Sequence, residues 1–270
     1  FSTLYALTTD AYIYEVGLRG LDPYGFVLYS NNVGFYDSDG ATPLLHDVLA
    51  DPTIPTQEQN QLNVLVGGVS LAAPTHHLFF NQPSPEARLA INGIVDPVTP
   101  RINSFVFEGV LGGNDTLVDA GGTFVLDVNV RGIYEVVISQ DRVDFDPNNP
   151  NNATLIGFGS VGPQSITWDG RDNAGVPFPV GLDYPALILL RAGEVHFPLL
   201  DVENSMDGGP QYELTNPPAG CPPLAGGCFS GFYDDRGYVT ENGTVVGTPG
   251  SVLPGVNPPP VPNSDPLLGF

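Results

Sequence analysis

Between Thr123 and Ser139 apolar and polar side chains alternate with a period of two: Phe124, Leu126, Val128 and Val130 fall opposite Thr123, Val125, Asp127 and Asn129, and Tyr134, Val136 and Ile138 resume the pattern after Arg131-Gly132. Only an extended strand with one buried face places every second residue on the same side. The stretch reads as two strands joined in a hairpin. The same rhythm recurs at Tyr12, Tyr14 and Val16, at Phe26, Leu28 and Ser30, in the runs 63–66 and 78–80, and in the pair 184–190 and 195–200. That last pair, joined by Arg191-Ala192-Gly193-Glu194, reads as a second hairpin. Helix is scarce; its best candidate is 85–91, where Ser84 caps and Pro85 suits the first helical position. With 33 Gly and 28 Pro punctuating short apolar runs, the fold class expected is all-β, built from sandwiches.

A chain of 270 residues has room for about two such domains, and 41% hydrophobic residues suffice for packed cores. Val95-Asp96-Pro97-Val98-Thr99-Pro100 can continue neither a helix nor a central strand, because each Pro lacks a donor and restricts its predecessor. The expected division is therefore a β domain over 1–100, a second β-sandwich over 101–205 and a Pro/Gly-rich extension over 206–270. The extension ends in Asn257-Pro258-Pro259-Pro260-Val261-Pro262, which favours polyproline geometry and has little side-chain area with which to fold alone. Two placements are open to it, along its own domains or along a neighbouring copy, and the neighbour is expected because a long Pro-rich arm buries more area there. Cys221 and Cys228 flank a six-residue Pro/Gly-rich loop with no His or second Cys pair nearby, which points to a disulfide staple rather than zinc and to an oxidising compartment. Asn114, Asn152 and Asn242 each open an Asn-x-Ser/Thr sequon and are candidates for glycosylation. Starting at Phe1 rather than Met, the chain reads as a processed or excised piece.

Thirty acidic residues face eight basic ones, all arginine, for a net charge of -22. Such a surface repels phosphate backbones, and no apolar run reaches membrane length, so nucleic acid and membrane insertion are excluded as expected partners. Cations are the natural counterparts, and 21 Asp against 9 Glu favours short carboxylates on loops. Asp141, Asp144, Asp146 and Asn148, followed by Asn149, alternate oxygen-bearing side chains as a calcium loop does, although the EF-hand glycine and final Glu are missing; an Asp/Asn-Pro turn is the other reading. Asp37-Ser38-Asp39-Gly40 and the set Asp201, Glu203, Asn204 and Asp207 are weaker instances. No His-Glu-x-x-His helix occurs, Phe158-Gly159-Ser160-Val161-Gly162 misses the nucleophile elbow at its first position, and His76-His77 would alternate faces on a strand. The chain is read as non-catalytic.

The most specific segment is Trp168-Asp169-Gly170-Arg171-Asp172-Asn173-Ala174-Gly175-Val176-Pro177-Phe178-Pro179-Val180-Gly181-Leu182-Asp183-Tyr184. It resembles the Trp-Asp-Gly-x-Asp-x-x-Gly signature of the immunoglobulin-like domain of flagellar hook-capping proteins, which also ends many secreted bacterial proteins. Pro185 departs from the pattern, because a Pro after the Tyr removes a donor and marks an edge strand. The resemblance covers about 104–200 and implies an exported, load-bearing or adhesive module with no catalytic residues. The function expected is a structural subunit of an extracellular, cell-surface bacterial filament, pilus-like fibre or sheath, built from copies of itself. Without lysine, Lys-Asn isopeptide bonds cannot form, so copies would be held noncovalently by strand or arm exchange. Residues 2–8 are a candidate donor strand, or else the first strand of their own domain. The alternative function is a carbohydrate-binding or adhesive module, for which an exposed face of Tyr12, Tyr14, Tyr29 and Phe35 would speak.

Overall fold

The computed structural model describes residues 3–18, 30–44, 70–197, 211–219, 238–241, 243 and 245–246. In chain order they form β1 (Thr3–Leu7), β2 (Ile13–Gly17), β3 (Phe35–Tyr36), β4 (Ser70–Leu71), β5 (His77–Phe79), α1 (Pro85–Asn92), β6 (Ile102–Gly109), β7 (Gly122–Val128), β8 (Gly132–Ile138), β9 (Ala153–Gly159), β10 (Gly162–Trp168), β11 (Ala186–Arg191), β12 (Gln211–Leu214), β13 (Tyr238–Val239) and β14 (Val245–Val246). The fold is all-β. Its one described helix starts where Ser84 accepts the Ala87 N–H at 3.3 Å and stops at Gly93, which has φ +72° and donates to the Leu89 carbonyl.

Two compact units result, one from the described parts of Phe1–Val98 and Gly193–Phe270, the other from Thr99–Ala192. In the first, an antiparallel sheet runs β12-β2-β1-β5, with β3 and β4 forming a separate ribbon. The register sets Leu4 opposite Val16 and Ala6 opposite Tyr14, so one face gathers Leu4, Ala6, Val16 and Leu18 against Phe197. Strand β1 is hydrogen-bonded on both sides, to β2 and to β5. Thr3–Leu7 therefore form an internal strand of their own unit, the second of the two readings given for this segment.

The division expected from sequence also changes at its C-terminal side. The described residues from Gly193 onward group with the first unit rather than closing the second. Strand β12 pairs with β2, Asn216 accepts the Ile13 N–H at 2.6 Å, and the Glu241 N–H meets both carboxylate oxygens of Asp37. Each bond joins groups some 200 positions apart, a separation no local pattern carries. Cys221, Cys228, Asn242, Tyr29 and the Asp201 set lie outside the described residues, as do residues 26, 28 and 63–66.

The second unit is a two-sheet sandwich, ordered β10-β7-β6 and β11-β8-β9. Phe124, Leu126 and Val128 of β7 meet Tyr134, Val136 and Ile138 of β8 across the interior, all of them buried. The predicted hairpin between these two strands is thus replaced by a crossover between sheets. Asn129 holds the first strand back, exchanging backbone and side-chain bonds with Arg101 and donating its amide to the Thr99 carbonyl. Gly132 then passes so close to the Arg191 carbonyl that a Cβ would collide with it. The second predicted hairpin also fails: β11 pairs with β8, whereas Asn31 and His196 bridge within the first unit. Period two reports that a strand has a buried face; it does not report which sheet the strand joins.

Candidate functional site

Both segments singled out by sequence lie at one end of the sandwich, where β8 gives way to β9 and β10 to β11. Trp168, the last residue of β10, is buried in the core and donates its indole N–H to the Arg171 carbonyl at 2.8 Å. Its ring meets Phe178 edge-on at 5.0 Å between centroids, and Phe178 meets Tyr184 in the same way at 4.8 Å. The Tyr184 hydroxyl closes the chain of contacts by donating to the Pro179 carbonyl at 2.6 Å. Between these rings the aspartates hold backbone: Asp169 accepts the Arg171 N–H, and Asp172 accepts those of Ala174 and Val176. Gly121 packs against the Trp168 carbonyl with φ +54°, where any side chain would collide.

The acidic loop uses the same device more densely. Asp141 accepts the N–H groups of Val143 and Asp144 and the Ser139 hydroxyl; Asp144 accepts the Asp146 N–H and the Asn149 amide; Asp146 accepts the Asn148 N–H. Bonds from Asp144 and Val143, then Ser139, hold the Asp141 carboxyl below its ordinary value. Asp141, Asp144, Asp146 and Asn148 each spend a carboxylate or amide on the loop's own chain. Among the described residues no group of three or more His, Cys, Asp or Glu is placed to hold a metal ion, so the structure does not gather the calcium ligands read from sequence. In the first unit Asp39 likewise accepts the N–H groups of Ala41 and Thr42 and the Thr42 hydroxyl.

Two asparagines tie the loops to each other. Asn173 of the tryptophan loop donates to the carbonyls of Pro147 and Asn149 and accepts the Thr154 N–H. Asn152 accepts the Gln140 N–H and donates to the carbonyls of Asp144 and Asp146. Asn152 has 1% of its surface exposed, with its amide engaged at both ends. Asn114 sits on an exposed loop.

A cluster that the sequence did not announce lies in the first unit. His196 Nε2 is 2.7 Å from Glu194 Oε1, His76 Nε2 is 3.2 Å from the Glu194 carbonyl, and the Tyr14 hydroxyl donates to the Gly193 carbonyl at 2.6 Å. Asp10 accepts the Gly193 N–H and the Thr8 hydroxyl. Burial, with the nearby Asp10 carboxylate, raises the titration of Tyr14 and Tyr12 far above the usual phenol range. His76 and Glu194 are 118 positions apart, so no spacing motif signals their meeting. His77, the neighbour of His76, is exposed. The aromatic face proposed for sugar binding is not exposed where it is described: Tyr12 and Phe35 are buried, and Tyr14 packs against the core of Leu4, Ala6 and Val16.

Compared with known proteins, the chain matches no family model, no curated protein and no solved structure.

Proposed function

We propose that this chain is a non-catalytic structural subunit of an extracellular bacterial surface assembly, a filament, fibre or sheath in which copies associate noncovalently through sheet edges and extended arms. One observation carries the reading: the loop aspartates and asparagines singled out in the sequence are consumed in fixing backbone at one end of a sandwich. Groups committed in that way stiffen a module and are not free to turn over a substrate. The resemblance of the Trp168–Tyr184 segment to load-bearing modules supports the same conclusion. So does the charge of -22, which keeps separate molecules soluble until a specific contact forms. With β1 committed inside its own sheet, the contacts fall to the bare edges and to the Pro-rich arm.

Electron microscopy of the purified chain at rising concentration tests the proposal. Filaments or sheets of regular repeat are expected; isolated particles at every concentration would overturn it. The carbohydrate-binding reading receives no support from Tyr12, Tyr14 or Phe35.

A further inference from the structure

We infer that β11 is the self-association edge of this protein, pairing antiparallel with β11 of a second copy so that two three-stranded sheets become one of six. The inference rests on the assembly reading above and supplies its contact.

The sheet β11-β8-β9 ends at β11. Ser139 donates its N–H to the Pro185 carbonyl at 3.0 Å, which makes Pro185 and Ser139 a hydrogen-bonded pair. Along the register, Leu187 with Val137, Leu189 with Glu135 and Arg191 with Ile133 are then bonded pairs too. It follows that the N–H and C=O groups of Ala186, Ile188 and Leu190 point away from β8, and the described ladder gives them no partner. Their side chains point inward and are only half-buried, as are Phe105 and Phe107 of β6 on the same flank. The core is therefore sealed at its centre, where Leu126 and Val136 are 0% exposed, and open along this side.

The other edges of the sandwich carry the features that discourage pairing. Strand β10 contains Pro163, β6 has a register shift between Ile102 and Ser104 and carries Glu108, and β9 contains Gly157. Strand β11, Ala-Leu-Ile-Leu-Leu-Arg, has no Pro, Gly, bulge or acidic residue, and its single charge is held by Glu135 at 3.0 Å.

The occupant is a second copy because of charge and register. In a chain with 30 acidic and 8 basic residues, copies repel over most of their surface, and an edge free of carboxylates is where they approach. The outward groups sit at alternate positions 186, 188 and 190, so a two-fold axis through Ile188 sets Ile188 against Ile188 and Ala186 against Leu190. That register satisfies all the outward groups, about six hydrogen bonds. Leu187, 41% exposed on the outer face, then lies across from Leu189 of the other copy.

Sedimentation velocity on the full chain, with amide hydrogen exchange resolved along β11, tests this. The expected result is a concentration-dependent dimer in which the Ala186, Ile188 and Leu190 amides exchange at least about a hundredfold more slowly than in dilute monomer. Leu187 and Leu189, bonded to β8 in either state, are the internal reference. Leu187→Lys, a surface change, is expected to weaken the dimer about a hundredfold by bringing like charges together, with the thermal midpoint unmoved. Three results would each overturn the inference: a wild-type chain that stays monomeric with those amides exchanging freely, a dimer that leaves them unprotected, or protection already complete in the monomer. Filaments that persist in Leu187→Lys would sink this edge while leaving the assembly reading intact. A β11 dimer that never grows into filaments or sheets would do the reverse.

Discussion

The two loops at the end of the sandwich are held by different physics. The tryptophan loop is anchored from inside, by three rings in series that bury one after another, with hydrogen bonds added around them. The acidic loop has no ring in the core. It is a succession of side-chain-capped turns, hung from the sandwich by Asn152 and buttoned to its neighbour by Asn173. Apolar burial is cooperative and tolerant of exact bonding, whereas a polar loop depends on each bond being made. Aromatic anchoring should therefore set the stability of the unit, and polar anchoring the shape of its end.

The sharpest way to break this contrast is Trp168→Ala. Deleting the buried ring and the N–H bond to Arg171 is expected to cost about 3–5 kcal/mol, read from urea unfolding of the second unit's transition. Next comes Asn152→Ala, which strands the Gln140 N–H and the Asp144 and Asp146 carbonyls in a part-buried setting. About 1–3 kcal/mol is expected, with amide exchange rising across 141–151 and unchanged in β7. A cost as large as that of Trp168→Ala would mean the polar loop is the true anchor. Asp172→Ala, which removes two exposed backbone bonds, should cost about 1 kcal/mol and disturb only 170–177 in an NMR shift map.

Acid provides a gentler probe. Asp141 and Asp39 have carboxyls lowered from the ordinary 3.8 by the N–H and hydroxyl groups they accept. A lowered folded value means that their contribution is complete above the unfolded value and is lost as pH falls below it through the folded one. Loop order, followed by amide shifts, should hold to about pH 4 and fail below it, in Asp141→Asn less steeply than in the parent. The smallest effect is expected from metal: adding calcium or a chelator should leave the thermal midpoint within error, because the oxygens of Asp141, Asp144 and Asp146 are turned onto their own chain. A rise of several degrees with calcium would show that these oxygens can reorganise around an ion.

Much of the local structure is legible in the sequence. Ser84 and Pro85 marked the start of α1, the alternation at 123–139 marked β7 and β8, and the Asp-Gly spacing after Trp168 marked a tied turn. The candidate site was half legible: both loops stood out, but as a calcium site and a fold signature rather than as one hydrogen-bonded end. Asn173 and Asn152 are ordinary turn residues in sequence, and their role depends on carbonyls 24 to 26 positions away in one case and 6 to 8 in the other.

Strand content, caps and turn chemistry follow from residues within a few positions of one another, because dihedral preferences and period-two patterning act over that range. Partnership does not. Whether β7 folds onto β8 or crosses above it, whether 195–197 extends the second unit or rejoins the first, and whether an aspartate meets a cation or a backbone amide are all settled by contacts across tens to hundreds of residues. Such contacts depend on the summed burial and bonding of both partners, and that sum exists only once the chain has closed on itself.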